Sequence, residues 1–165
     1  LVPVAVFLAA YGASERLRAF VQSWDLRVLT MLHHWRVLGF TFLMLTAHGV
    51  LPGLFAWPAG WGDVAIGVSA PLVVQALARN PDFARSWAFV TFHVLGMFDF
   101  VVAGATATLA SGAFPALHAG SPTSAPMEIW PLSLFPAFFV PLFLILHLGA
   151  LFQVRALRKR YPQAA

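Results

Sequence analysis

His48, His93, Asp99 and His147 fall inside long apolar stretches of this 165-residue chain, and Asp63 stands at the edge of one. An ionisable side chain in a bilayer interior is expensive to keep, so each of these is a candidate for function. Counting residues along the apolar stretches groups them into two pairs. His93 lies seven residues past Ser86 and His147 seven before Val154, so each sits about 10 Å in from one boundary at roughly 1.5 Å per residue. His48 and Asp99 lie deeper, about 18–20 Å from that boundary by the same rise.

The inner pair has the chemistry of a cofactor site. Two neutral imidazoles at one level on facing helices are what axial ligation of a b-type haem needs, and bundle cores commonly hold such groups. His93 and His147 are therefore candidate haem ligands, with electron transfer as the corresponding function. The plainer alternative is that each histidine hydrogen-bonds a neighbouring carbonyl or hydroxyl and tightens the packing. The outer pair, with Asp63, suggests a polar cavity. Such a cluster could relay protons, bind a small polar ligand or cation, or perform acid–base chemistry on a lipid-soluble substrate. Its alternative is an interhelical His48–Asp99 hydrogen bond serving architecture alone. A third class is a non-catalytic subunit whose small-residue helix faces bind a partner or its own copies.

Other chemistries are excluded by residue type. There is no cysteine, so disulfides, thiolate metal sites, iron–sulfur clusters and cysteine nucleophiles are out. The single lysine, Lys159, sits in a basic tail, which rules out a Schiff-base pigment. No phosphate-binding loop, dinucleotide fingerprint, nucleophile elbow or zinc-protease run is present. Asp63, Glu128 and His118 are too scattered for an outer cation site, and no metal beyond haem iron is expected. His33 and His34, beside Trp35 and Arg36, read as headgroup contacts at the membrane interface.

The elements that must position these residues follow from composition. The chain is 60% hydrophobic and 10% charged, against roughly 45–50% and 25% in an ordinary soluble domain. It reads as a single all-α integral membrane helical bundle of about five transmembrane helices plus one interfacial helix. A span takes about 20 apolar residues, and the expected spans are 1–14, 37–57, 63–77, 86–110 and 129–154. The first is short and begins at Leu1, as the tail of a helix whose start is missing. Residues 15–36, with four arginines among Leu17, Phe20, Trp24 and Leu29, read as a cytoplasmic interfacial helix. Trp57-Pro-Ala-Gly-Trp61-Gly reads as a tight outer turn carrying two belt tryptophans. Residues 155–165 form a basic cytoplasmic tail.

Orientation follows from the ten basic residues. All lie in 15–36, in Arg79–Arg85 or in the tail, which five spans place on one side. The positive-inside rule makes that side cytoplasmic, with the N-terminus outside and the C-terminus inside. On the helix carrying Asp99, the residues His93, Gly96, Phe100, Ala103, Thr106 and Ala107 share its arc at about 100° per residue. That face should look into the bundle, while Val94, Phe98 and Val101 face lipid. The net charge of +4 is thus a topology signal, and nucleic acid is not a partner. The expected partners are the lipid bilayer and either a membrane redox partner or a second copy of the chain.

Several strings carry a resemblance: Trp35-Arg36-Val-Leu-Gly39, Leu51-Pro52-Gly-Leu-Phe-Ala56, Pro58-Ala-Gly60, Gly62-Asp63, Leu95-Gly-Met-Phe-Asp99, and Phe135-Pro-Ala-Phe-Phe-Val-Pro141 with His147 behind it. Over about Trp35 to Arg155 the chain resembles a group of small bacterial polytopic membrane proteins without established activity. The resemblance implies a multi-pass protein of the bacterial inner membrane. It carries over no functional residue.

Overall fold

The computed structural model describes residues 1–114 and 122–160. His118 and the last five residues of the expected basic tail lie outside them. Every regular element described is helical. The first three are α1 (Val2–Ala13), α2 (Glu15–Gln22) and α3 (Leu26–Leu32). A 3₁₀ segment, His33–Gly39, joins α3 to α4 (Phe40–Ala47). After them come α5 (Gly53–Arg79), a 3₁₀ turn (Pro81–Arg85) and α6 (Trp87–Leu109). A short 3₁₀ turn (Ala125–Glu128) and a π-helical turn (Phe135–Phe139) lead into α7 (Val140–Arg160).

Polar residues set the helix starts. Ser14, Asp25 and Ser86 accept the backbone N–H groups of Leu17, Arg27 and Phe89, meeting donors that a helix N-terminus leaves free. The backbone N–H of Arg27 also holds the exposed Asp25 carboxyl below its usual range.

Four helices, rather than five, are long and apolar enough to cross a membrane: Leu26–Ala47, Gly53–Arg79, Trp87–Leu109 and Phe135–Lys159. Helix α1 has 12 residues, about 18 Å against a hydrocarbon core of roughly 30 Å. It lies against α7, with Tyr11 stacked on Phe152 at 4.3 Å. The stretch read as interfacial divides in two. Helix α2 stays outside the four long helices, and its neighbourhood is pinned to α7 by Gln153, which donates to the carbonyls of Val21 and Trp24. Residues 26–36 instead form the first half of a long helical rod.

The second difference concerns the outer turn. Trp57-Pro-Ala-Gly-Trp61 is not a turn but lies within α5. The chain reverses earlier, at His48–Pro52, where Gly49 takes φ +70° and Thr46 bonds the Leu51 carbonyl. Glycine just past a helix end followed by proline is the ordinary stop signal. Pro58 and Pro71 stay inside α5, as proline can in a long apolar helix where neighbouring groups take up the freed carbonyl. Proline 71 leaves the Gly67 carbonyl without its helical donor, and His34 Nδ1 donates to that oxygen at 2.9 Å.

Two apolar clusters fill the ends of the bundle. One gathers Leu29, Leu77, Phe89, Leu146 and Val154 beside the basic termini. The other gathers Phe42, Leu51, Phe55, Ala110 and Met127 at the opposite end. Between them runs a polar layer.

Candidate functional site

The polar layer is built on a change of helical pitch. In the 3₁₀ segment three residues make one turn, so residues three apart lie on one line. Thr30, His33, Arg36, Gly39 and Phe42 are all buried, a stripe of period three that ordinary α-helical winding would spread around the helix. The 3₁₀ winding therefore aims His33 and Arg36 at the same interior.

Arg36 is 2% exposed and stands at the centre. Its Nε donates to Asp63 Oδ1 at 2.7 Å and its Nη2 to Asp99 Oδ2 at 2.5 Å. Its Nη1 donates to the Gly96 carbonyl at 2.9 Å and lies 3.2 Å from Nε2 of His147. The guanidinium carbon sits 4.0 Å from the centre of the Phe100 ring. A planar fork with fixed donors on three sides is what arginine, unlike lysine, can offer here.

The second half of the layer is three histidines. His33, His93 and His147 are each fully buried. His33 stacks on His147, ring centres 3.7 Å apart and 14° from parallel. Nδ1 of His93 lies 2.8 Å from Nδ1 of His147. One nitrogen from each of the three can be chosen so that all lie within 4.8 Å of one another.

Arginine cannot accept, which fixes the direction of the chain of bonds. His147 Nε2 must present its lone pair to Arg36, so neutral His147 carries its proton on Nδ1 and donates to His93. Neutral His93 then carries its proton on Nε2. That nitrogen, and both nitrogens of His33, have no partner among the described residues.

Two glycines make the layer possible. A Cβ on Gly96 would run into the His147 ring, and one on Gly62 would land on the Asp99 carboxylate. Both positions need the smallest residue because a charged or ring side chain from a neighbouring helix fills the space.

The expected site residues divide as follows. His93 and His147 meet directly. Asp63 and Asp99 meet through Arg36. Asp63 is not at a wet helix end: α5 starts at Gly53, so its carboxylate is ten residues inside and its side chain 12% exposed. His48 is not brought to Asp99. It caps the end of α4 at an exposed position, next to the turn. Glu128 is likewise exposed. His33 and Arg36, read as interfacial, are the residues sequence reasoning missed. Charge was the available signal, since two carboxylates in apolar helices call for a cation and Arg36 is flanked by apolar runs. The spacing His33-x-x-Arg36-x-x-Gly39 was the other.

A family model described as a domain of unknown function, DUF8737, matches residues 1–155. Among curated proteins and among solved structures nothing matches.

Proposed function

The chain belongs to the DUF8737 family, and on that premise we propose that it is a membrane-embedded metalloprotein whose metal ion is held by His33, His93 and His147. One observation carries the reading: three fully buried imidazoles converge, and three of their six ring nitrogens have no partner among the described residues. An unsatisfied buried polar atom costs about 1–3 kcal/mol, so such a set calls for an occupant. Imidazole nitrogen suits zinc, copper, iron or nickel. The neighbouring cluster supports a cation as well, since two carboxyl groups face a single guanidinium there.

A bare ion fits the spacing better than a porphyrin. A porphyrin held by both imidazoles would have to lie between them, whereas Nδ1 of His93 and Nδ1 of His147 are 2.8 Å apart. Haem b on His93 and His147 would have to part α6 and α7 and displace His33 from its stack on His147. An ion bound by three nitrogens needs the rings to shift without a macrocycle between them. Arg36, Asp63 and Asp99 would set the charge and ring orientation around the ion, as outer-layer groups do elsewhere. Binding at His147 Nδ1 moves that ring's proton to Nε2, so it competes with the Arg36 contact and couples the two halves of the layer.

The reading extends to location: a multi-pass protein of the bacterial inner membrane, with the basic end of the bundle in the cytoplasm. The test is metal analysis of detergent-purified protein loaded with zinc, cobalt or copper, beside an absorption spectrum before and after reduction. We expect about one equivalent of metal per chain, at least tenfold less in His33→Ala, and no Soret band. A Soret band lost in His93→Ala and His147→Ala, yet kept in His33→Ala, would establish haem instead. Under one-tenth of an equivalent of any metal with no Soret band would leave the histidines as packing.

A further inference from the structure

Beside the polar layer lies a cavity of about 360 Å³, with none of the three histidines in its lining. Its walls are chiefly apolar, with Phe42, Phe55, Phe100 and Phe139 among them, and Arg36 and Asp63 are the charged side chains that reach it. A mostly apolar concavity of this size with a few converging polar groups is the ordinary form of a small-molecule site.

We propose that this cavity binds a lipid-soluble molecule whose polar head donates a hydrogen bond to Asp63. The argument rests on how the ion cluster is saturated. Arg36 spends four of its five N–H groups on Asp63 Oδ1, Asp99 Oδ2, the Gly96 carbonyl and His147. Asp63 uses Oδ1 for Arg36, while its Oδ2 has no hydrogen-bond partner among the described residues. That second oxygen lies beside Gly39, itself part of the cavity wall. The cavity therefore offers an acceptor. Two carboxyl groups face one guanidinium beside it. An anionic head would meet the Asp63 carboxyl group and an arginine with four of its five N–H groups engaged. A hydroxyl or protonated amine meets an open acceptor, and the amine adds charge complementarity. The apolar walls select a hydrophobic body, which reaches the cavity from lipid.

The proposal is independent of the metal and is tested separately from it. The probes are 4-(trifluoromethyl)benzylamine, the matching benzyl alcohol and the matching benzoate, followed by fluorine NMR with the whole chain in phosphatidylcholine nanodiscs and empty nanodiscs as the baseline. Saturable binding of the amine is expected, with the alcohol weaker and the benzoate at least tenfold weaker than the amine. Asp63→Asn should weaken the amine at least fivefold and the alcohol less. Because Asp63 is also bound to Arg36, a second variant leaves the ion cluster intact. Gly104 lines the cavity, and a Cβ built on it meets nothing within 4 Å. Gly104→Phe should fill the space, cut amine binding at least tenfold and leave the melting temperature unchanged. Benzoate binding as tightly as the amine, binding unchanged in Gly104→Phe, or no saturable binding above empty nanodiscs would each overturn the proposal.

Discussion

Arg36 shows how one side chain can decide the stability of a whole layer. It is buried with hydrogen bonds to two carboxylates, a carbonyl and an imidazole. Removing it strands two carboxylates among apolar helices, and breaking a buried ion pair from one side costs about 3–5 kcal/mol. Arg36→Met should therefore lose that much in a detergent unfolding titration. Asp99→Asn behaves differently, because it leaves one guanidinium facing one carboxylate and keeps an oxygen for Nη2. A loss within about 1 kcal/mol is expected there, given that the charges then balance. Combining Arg36→Met with Asp63→Asn and Asp99→Asn should recover at least half of the single-variant loss. A triple variant as unstable as the single one would mean that packing, and not charge, sets the penalty.

The helices approach one another where glycines allow it, and the same side-chain deletion has opposite value at different places. Gly62 and Gly96 face Asp99 and His147, whereas a Cβ on Gly12 or Gly104 meets nothing. In thermal melts, Gly62→Ala and Gly96→Ala should each cost about 1–3 kcal/mol through overpacking. Gly104→Ala should be neutral or stabilising by up to about 1 kcal/mol, because alanine is the better helix former. Equal effects at Gly96 and Gly104 would contradict the packing described. The α6 face was legible beforehand because regular α-helical winding keeps Asp99 and His93 on one arc with Gly96 and Ala103. The first rod follows no such winding, since the 3₁₀ segment from His33 to Gly39 replaces a 3.6-residue period with one of three, and its arginines read as interfacial. The stretch Trp57–Trp61 misleads for another reason. Proline and glycine there look like a turn in isolation, yet the true reversal at Gly49 had already occurred. A turn at Trp57–Trp61 would put Asp63 at the rim of the bundle and His48 inside it, whereas the turn at Gly49 does the opposite. Pairings across helices depend on those registers, which explains why Arg36 as the shared partner of Asp63 and Asp99 stayed hidden.

At the scale of the whole molecule, charge is sorted by end. The starts of α3 and α6 and the last turns of α5 and α7 meet at one end, where Arg158 donates to the Arg85 carbonyl. Asp25, Arg27, Arg85 and Leu157 share one surface depression there. At the other end, Ser124 bonds back to Ala107 and Ala110, and no Lys or Arg occurs between Arg85 and Arg155. Under the proposed location, such one-sided charge puts the basic end in the cytoplasm. Moving a fifth span out of the count does not alter this, because four crossings from Leu26 onward return the chain to the basic end. The chain has no cysteine, so single introduced thiols report position without background. Ser111→Cys and Asp82→Cys sit at exposed positions at opposite ends. In intact spheroplasts a membrane-impermeant maleimide should label Ser111→Cys directly and Asp82→Cys only after permeabilisation. Labelling of both from outside would place the two ends of α6 on one face of the membrane and overturn the spanning arrangement. The reverse pattern would keep four crossings and invert their direction, putting the basic end outside against the charge rule.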